Sequence, residues 1–103
     1  MINTDTLKMK IGLHDINNPI LSEVLEREFD CSGSVIRDGV RTLRRDGVPV
    51  GACGGGYFIA ENFAEIEETI EDLRKRMRSL AITANQLAKV FDVVLKDDLF
   101  YQQ

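Results

Sequence analysis

Hydrophobic residues first recur at helical spacing in the stretch that begins at Asn18. Asn18 can cap a helix, Pro19 suits the first helical position, and Glu23 falls in the first turn. The pattern therefore predicts a helix over residues 19–28. The apolar residues within positions 1–17 fit a short helix and a strand equally well, so both alternatives stay open there.

A second helical pattern follows a short polar turn. Ser32 can cap this helix. Gly39 lies inside it, where glycine costs about 1 kcal/mol relative to alanine, so we expect close packing or close approach to something else at this position. Gly47 is expected to end the helix in the left-handed conformation. The apolar residues share one face of the helix at spacings of four and three: Ile36, Val40 and Leu43.

Two short apolar runs, VPVGAC and GYFIA, flank a group of three glycines, Gly54, Gly55 and Gly56. This arrangement predicts a β-hairpin, and Pro49 restricts its strand to an edge or to a first position. The glycines match neither a phosphate-binding loop nor a dinucleotide fingerprint, because no Gly-Lys-Ser/Thr follows and no helix begins directly after them. We therefore interpret them as a turn.

The longest pattern begins at Asn62, which can cap a helix, with Glu65 three residues later as in a capping box. Apolar residues then recur in steps of three and four with no glycine or proline between them. This spacing predicts a long amphipathic coiled-coil helix over residues 61–96, with residues 97–103 as a tail. The seam positions are Phe63, Ile66, Ile70, Leu73, Met77, Leu80, Ala84, Leu87, Phe91 and Val94.

This seam has two interpretations. The helix could fold back onto its own domain, but ten consecutive seam positions exceed what a domain of about 60 residues can cover. Self-association is therefore favoured, as a homodimer or a higher assembly. The sequence pattern leaves parallel and antiparallel pairing open.

The order of helix, tight turn, second helix and hairpin is that of a winged helix-turn-helix. Residues 23–60 resemble the N-terminal DNA-binding domain of biotin operon repressors. That resemblance rests on a Ser-capped helix, a buried Ile, the triplet Thr42-Leu43-Arg44, the pair Gly47-Val48 and a hairpin closing with Tyr57. A wing followed by a long helix also resembles small phage-encoded helix-turn-helix proteins. The expected fold is thus mainly α with a small β-hairpin, a winged helix-turn-helix over residues 1–60 followed by the coiled-coil helix.

Charge at first argues against a nucleic-acid partner, since the 103 residues carry a net charge of −4. The distribution of charge along the chain, however, leaves a nucleic-acid partner open. Residues 33–45 contain four arginines, Arg37, Arg41, Arg44 and Arg45, against the single acid Asp38. This is a basic element within an acidic protein.

The resemblance implies that the second helix of the motif enters the major groove of double-stranded DNA. Arg37 and Arg41 could each bind a guanine or a phosphate, and Asp38 could accept from cytosine or orient an arginine. Arg44 and Arg45 lie at the far end, where phosphate contact or plain solvation is expected. The hairpin carries no Lys or Arg, so a structural role is favoured for its glycines over phosphate contact. The candidate DNA-contacting residues are Ser32, Gly33, Ser34, Arg37, Asp38, Arg41 and Arg45.

Other chemistry finds little support in the sequence. Cys31, Cys53 and His14 lack metal-ligand spacing, and no catalytic constellation is visible, so we expect neither an enzyme nor a cofactor. No apolar run reaches the roughly 20 residues that cross a membrane, and no secretory signal is recognisable. A cytoplasmic protein of a bacterium or a phage-infected cell is expected. The alternative to DNA binding is a protein-interaction module that assembles through its coiled coil.

Overall fold

The computed structural model describes residues 2–95 of the chain. Within that range it is mainly helical, with a small three-stranded antiparallel sheet and a long C-terminal helix. In chain order the elements are α1 (Thr4–Gly12), β1 (Ile20–Leu21), α2 (Ser22–Phe29), α3 (Gly33–Arg45), β2 (Val50–Cys53), β3 (Gly56–Ile59) and α4 (Phe63–Lys89).

Helix α1 settles the ambiguity at the N-terminus in favour of a helix. The Asn3 side-chain oxygen accepts hydrogen bonds from the backbone N–H groups of Asp5 and Thr6, at 2.9 and 3.2 Å, and so caps the first turn. Leu7 and Ile11, one turn apart, are fully buried. They anchor α1 to the core.

The predicted start of the next helix at Pro19 is wrong. Ile20 and Leu21 form strand β1, paired with Tyr57 and Gly56 of β3, and helix α2 begins only at Ser22. A side chain at position 56 would prevent this pairing, because an added Cβ there would lie 2.8 Å from the Ile20 carbonyl oxygen.

Helix α3 agrees with the sequence prediction. The Ser32 hydroxyl accepts from the Val35 backbone N–H, and the apolar stripe is buried. Gly39 is buried where an added Cβ would lie 2.7 Å from Leu7 Cδ2 and 2.8 Å from Ile2 Cδ1. Close packing against α1 and the segment before it therefore explains this glycine. Gly47 follows the helix with φ +89°, as expected of a left-handed cap.

The predicted hairpin is present as β2 and β3, with β3 in the centre of the sheet order β1-β3-β2. Gly54 and Gly55 form its two-residue turn, and their φ values of +56° and +79° are typical of a type I′ turn. Gly56 lies in β3 and not in the turn. Pro49 immediately precedes the edge strand β2, which agrees with its expected position.

The core lies between α1, α2, α3 and the sheet. Its helices present one apolar face each. Phe58 of β3 is also buried, at 1% exposed, but its ring lies over Gly51 of β2 and it is not a member of this core cluster. Val24, Phe29, Cys31 and Tyr57 pack against the core from its margin. Its buried residues are Leu7, Ile11, Ile20, Leu25, Ile36, Val40, Leu43 and Val50.

The chain divides into two compact units, one ending at Thr69 and the other beginning at Ile70. Asn62 caps α4 as expected, since its side-chain oxygen accepts from the Glu65 N–H at 3.1 Å.

Helix α4 is shorter at its C-terminal end than predicted. It stops at Lys89, so the seam positions Phe91 and Val94 lie outside it, and the helical range 61–96 is corrected to 63–89. Asp92, in the left-handed conformation at φ +57°, follows the helix and turns the chain away from helical geometry. The predicted tail, residues 97–103, lies outside the described residues.

Candidate nucleic-acid interface

The outward face of α3 carries the polar side chains that the sequence analysis singled out. Ser34, Arg37, Asp38 and Arg41 are all exposed, on the side of the helix opposite the buried stripe. Spacings of three and four residues place Arg37, Asp38 and Arg41 on one continuous surface. The helix therefore presents two guanidinium groups and one carboxylate together.

The two arginines of this face differ in how they are held. Arg41 Nη1 donates to Asp38 Oδ1 at 2.9 Å, with the side chains 59% and 68% exposed. Arg37 makes no hydrogen bond or ion pair with any other residue of the range 2–95. Asp38 is thus bonded to Arg41, which is one of the two alternatives given for it, while the guanidinium of Arg37 donates to no other residue of the range 2–95.

A carboxylate that sequence reasoning missed lies at the N-terminus of α3. An added Cβ at Gly33 would be 3.4 Å from both Arg37 Nη1 and Glu26 Oε2, so these two side chains flank the same glycine. Glu26 Oε2 also accepts from the Ser22 hydroxyl at 3.0 Å. The Ser22–Glu26 spacing of four residues was the available signal, but only the packing of α2 against α3 brings Glu26 to this face.

Glu26 changes what the start of α3 can bind. The Ser32 hydroxyl is already engaged in capping Val35. A carboxylate next to Gly33 opposes a phosphate there, because it offsets the favourable field of the helix N-terminus. Of the three small residues proposed for this end, Ser34 alone combines an exposed side chain with a hydroxyl that makes no hydrogen bond to the described residues.

At the other end of α3 the two final arginines have separate environments. Arg45 is exposed. Arg44 is half-buried, and its Nε donates to the Val50 carbonyl oxygen at 2.9 Å. Plain solvation of Arg44 is therefore corrected, because its side chain connects α3 to the first residue of β2, while phosphate contact by Arg44 stays a prediction.

The hairpin is held by a residue of α4. Thr69 is 5% exposed, and its hydroxyl accepts from the Ala52 N–H at 3.0 Å and donates to the Ala52 carbonyl at 3.4 Å. Gly54 and Gly55 are exposed at the turn, whereas Gly56 is buried. The sequence gave no indication of this contact, because a single threonine in a helix carries no signal of a bond to a distant strand.

Along α4 the seam residues remain largely accessible. Phe63, Leu80 and Leu87 are 65, 70 and 66% exposed, and Leu73 is 40% exposed. Half-buried positions alternate with these: Ile66, Ile70 and Met77. The helix thus carries an apolar stripe that its own chain leaves open over the described residues.

No group of three or more His, Cys, Asp or Glu side chains in the described part of the chain could hold a metal ion. Cys31 and Cys53 are free and half-buried. None of the helices in residues 2–95 has the length and apolar character needed to cross a membrane.

Comparison of the chain with family models, with curated proteins and with solved structures gives no match. Function must therefore be argued from the side chains that the fold brings together.

Proposed function

We propose that this protein binds double-stranded DNA sequence-specifically as a small winged-helix homodimer, with α3 in the major groove. The process served would be transcriptional regulation, or phage replication or packaging. The order α2, α3, β2, β3 supports the winged helix-turn-helix, with β2 and β3 as the wing. A cytoplasmic location and a binding role without catalysis are parts of the same proposal.

One observation carries the proposal: Arg37 is exposed beside Arg41 on α3, and it has no partner among residues 2–95. An exposed α-helix fits the major groove, and arginine is the residue that most often binds the O6 and N7 atoms of guanine. Arg37 is assigned to a base or a phosphate near the start of the helix. Arg41 is assigned to the next contact, with Asp38 fixing its orientation.

The remaining contacts would be to the DNA backbone. Ser34 can donate its hydroxyl to a phosphate, and Arg45 can reach one at the far end of α3. The turn glycines Gly54 and Gly55 could offer only backbone N–H groups, so the wing would contribute little electrostatic affinity. Self-association through α4 would present two copies of α3 to two half-sites.

The test is binding to random duplex DNA, measured by fluorescence anisotropy at low and at physiological salt. Arg37→Ala and Arg41→Ala should each weaken binding by about tenfold at low salt, since each dimer loses two cations that face the DNA phosphates. Arg78→Ala, the same change at an exposed position of α4, is the matched control and should bind as the parent does. Circular dichroism checks that all variants remain helical. Unchanged affinity in both α3 variants would refute this assignment of contacts.

The alternative, a protein-interaction module, is favoured by the open apolar stripe of α4 and by the net charge of −4. It predicts no binding to duplex DNA even at low salt. Self-association that persists while DNA binding is absent would establish that alternative over the DNA-binding function.

A further inference from the structure

The charged residues of α4 are separated by sign along the helix, with acidic residues first and basic residues after them. An acidic segment, residues 65–72, carries five carboxylates, and a basic segment, residues 74–78, follows it with four cations. None of these side chains forms an ion pair with another residue of the described range 2–95. Two adjacent blocks of opposite, unpaired charge therefore flank the same apolar stripe.

We propose that a second copy of this chain covers the stripe in the antiparallel orientation, with Ile70 of each copy beside Leu73 of the other. This inference rests on the self-association in the proposed function and is independent of DNA contact by α3. In a parallel pair in register, each block would lie beside its own like-charged copy. In the antiparallel pair the acidic segment of each copy lies beside the basic segment of the other.

The heptad positions select the register. With Phe63 at position a, Glu67 and Arg74 are both e positions, and e positions face each other across an antiparallel pair. Placing Ile70 beside Leu73 sets Glu67 of each copy opposite Arg74 of the other, so two symmetric ion pairs form. Displacing the pair by one heptad would instead set Arg74 opposite Arg74.

The same register also builds a full apolar core. It has six layers, formed by the pairs Phe63–Leu80, Ile66–Met77 and Ile70–Leu73 and their symmetry mates, and every member is a large side chain. A displacement of two heptads would also give six layers but would place Ala84 in two of them and leave Glu67 opposite Ala88. A displacement of one heptad would give eight layers within α4, two of them with Ala84, so the Glu67–Arg74 pairing selects the register and the number of apolar layers does not.

Charge exchange tests this pairing on the full chain, with self-association measured by analytical ultracentrifugation. Glu67→Arg alone and Arg74→Glu alone should each weaken the dimer by about tenfold, because two ion pairs become two repulsions. An equimolar mixture of the two variants should restore association to the parent level, since both pairs of the heterodimer are then Arg–Glu. The double variant E67R/R74E should be restored as well.

Contact within one helix cannot produce that rescue, because residues 67 and 74 lie about 10 Å apart along the helix axis. Parallel pairing cannot produce it either, because e positions then face g positions, which are Thr69 for Arg74 and Asn62 for Glu67. Glu68→Arg and Lys75→Glu are matched controls at f positions, which point away from the seam. They should weaken association much less than the e-position variants do, and mixing them should not restore the dimer as mixing the e-position variants does.

The proposal is overturned if the mixture of the Glu67 and Arg74 variants associates as weakly as each variant alone. It is also overturned if the parent chain remains monomeric. DNA binding of each sample, measured in parallel, separates the two proposals. A monomer that binds DNA and loses binding on Arg37→Ala overturns the antiparallel pairing and the homodimer, and it leaves the assignment of DNA contact to α3 in place. Charge-swap rescue in a protein that does not bind DNA supports the pairing and refutes the DNA-binding function.

Discussion

Gly39 shows how a single missing side chain sets the packing of α3. Alanine is favoured over glycine in a helix by about 1 kcal/mol. Here, however, an added methyl group would collide with the fully buried Leu7 and with Ile2. Leu7 is fully buried, so its methyl group can yield only by disturbing its packed neighbours, and we expect this overpacking cost to exceed the gain in helix propensity.

We therefore expect Gly39→Ala to lower the free energy of unfolding by about 1 kcal/mol or more, measured by urea denaturation followed by circular dichroism. The control is Gly12→Ala at the end of α1, where no atom lies within 4 Å of an added Cβ. That variant should be as stable as the parent or more stable. Equal stability of the Gly39 variant and the parent would contradict the packing argument.

Element boundaries show where local pattern is sufficient and where it is not. Helix α3 and the turn of the β2–β3 hairpin could be predicted because Ser32, the stripe from Ile36 to Leu43 and the glycine pair carry local signals. Strand β1 could not, because two residues form it only through pairing with Gly56, some 35 positions away. The end of α4 was missed for a related reason: apolar spacing continues to Val94, but Asp92 has already left the helix.

The packing of α2 against α3 also places the carboxylate of Glu26 beside the first residue of α3. If this face binds DNA, the charge of Glu26 opposes phosphate approach and attracts Arg37. Glu26→Gln keeps an acceptor for Ser22 and removes the charge, so affinity for random duplex DNA should rise by about twofold to fivefold at low salt.

Glu23→Gln is the control for that experiment, because it makes the same charge change at an exposed position of α2. Anisotropy titrations of both variants should separate a local effect from a change in net charge. If both variants gain the same affinity for DNA, the effect comes from net charge, and the carboxylate of Glu26 is no closer to the bound DNA than that of Glu23.

At the scale of the whole molecule, net charge and local charge have opposite signs. If DNA binding occurs through two copies of α3, then Arg37, Arg41 and Arg45 give about six phosphate-equivalent contacts per dimer. The logarithm of the binding constant should then fall with the logarithm of salt concentration with a slope of about −5. Titrations at four or more salt concentrations measure this slope.

Arg37→Ala should make that slope shallower by about 2, because each dimer loses two cations at the interface. Arg78→Ala should leave it unchanged. Binding that persists with a slope near zero would show that α3 does not neutralise phosphates, whatever the affinity.

The candidate interface was only partly readable from sequence. The exposure of Arg37 and Arg41 follows from helical periodicity, and so does their distance of one turn. The fixing of Arg41 by Asp38 was one of two alternatives that the spacing allowed. The hydrogen bond from Arg44 to the Val50 carbonyl and the position of Glu26 beside Gly33 depend on how α2, α3 and β2 pack together. No local sequence pattern encodes that packing.

The contact between Thr69 and Ala52 bears on whether strand β2 can pair with a strand of another chain. Strand β2 is an open edge of the sheet, and such an edge can serve as a template on which a strand of another chain is added. One hydroxyl gives Ala52 both of the bonds that a neighbouring strand would give it. Thr69 thus occupies the backbone groups of Ala52 that a further strand would need, so if copies associate as proposed, the stripe of α4 is a more accessible surface for them than this part of β2.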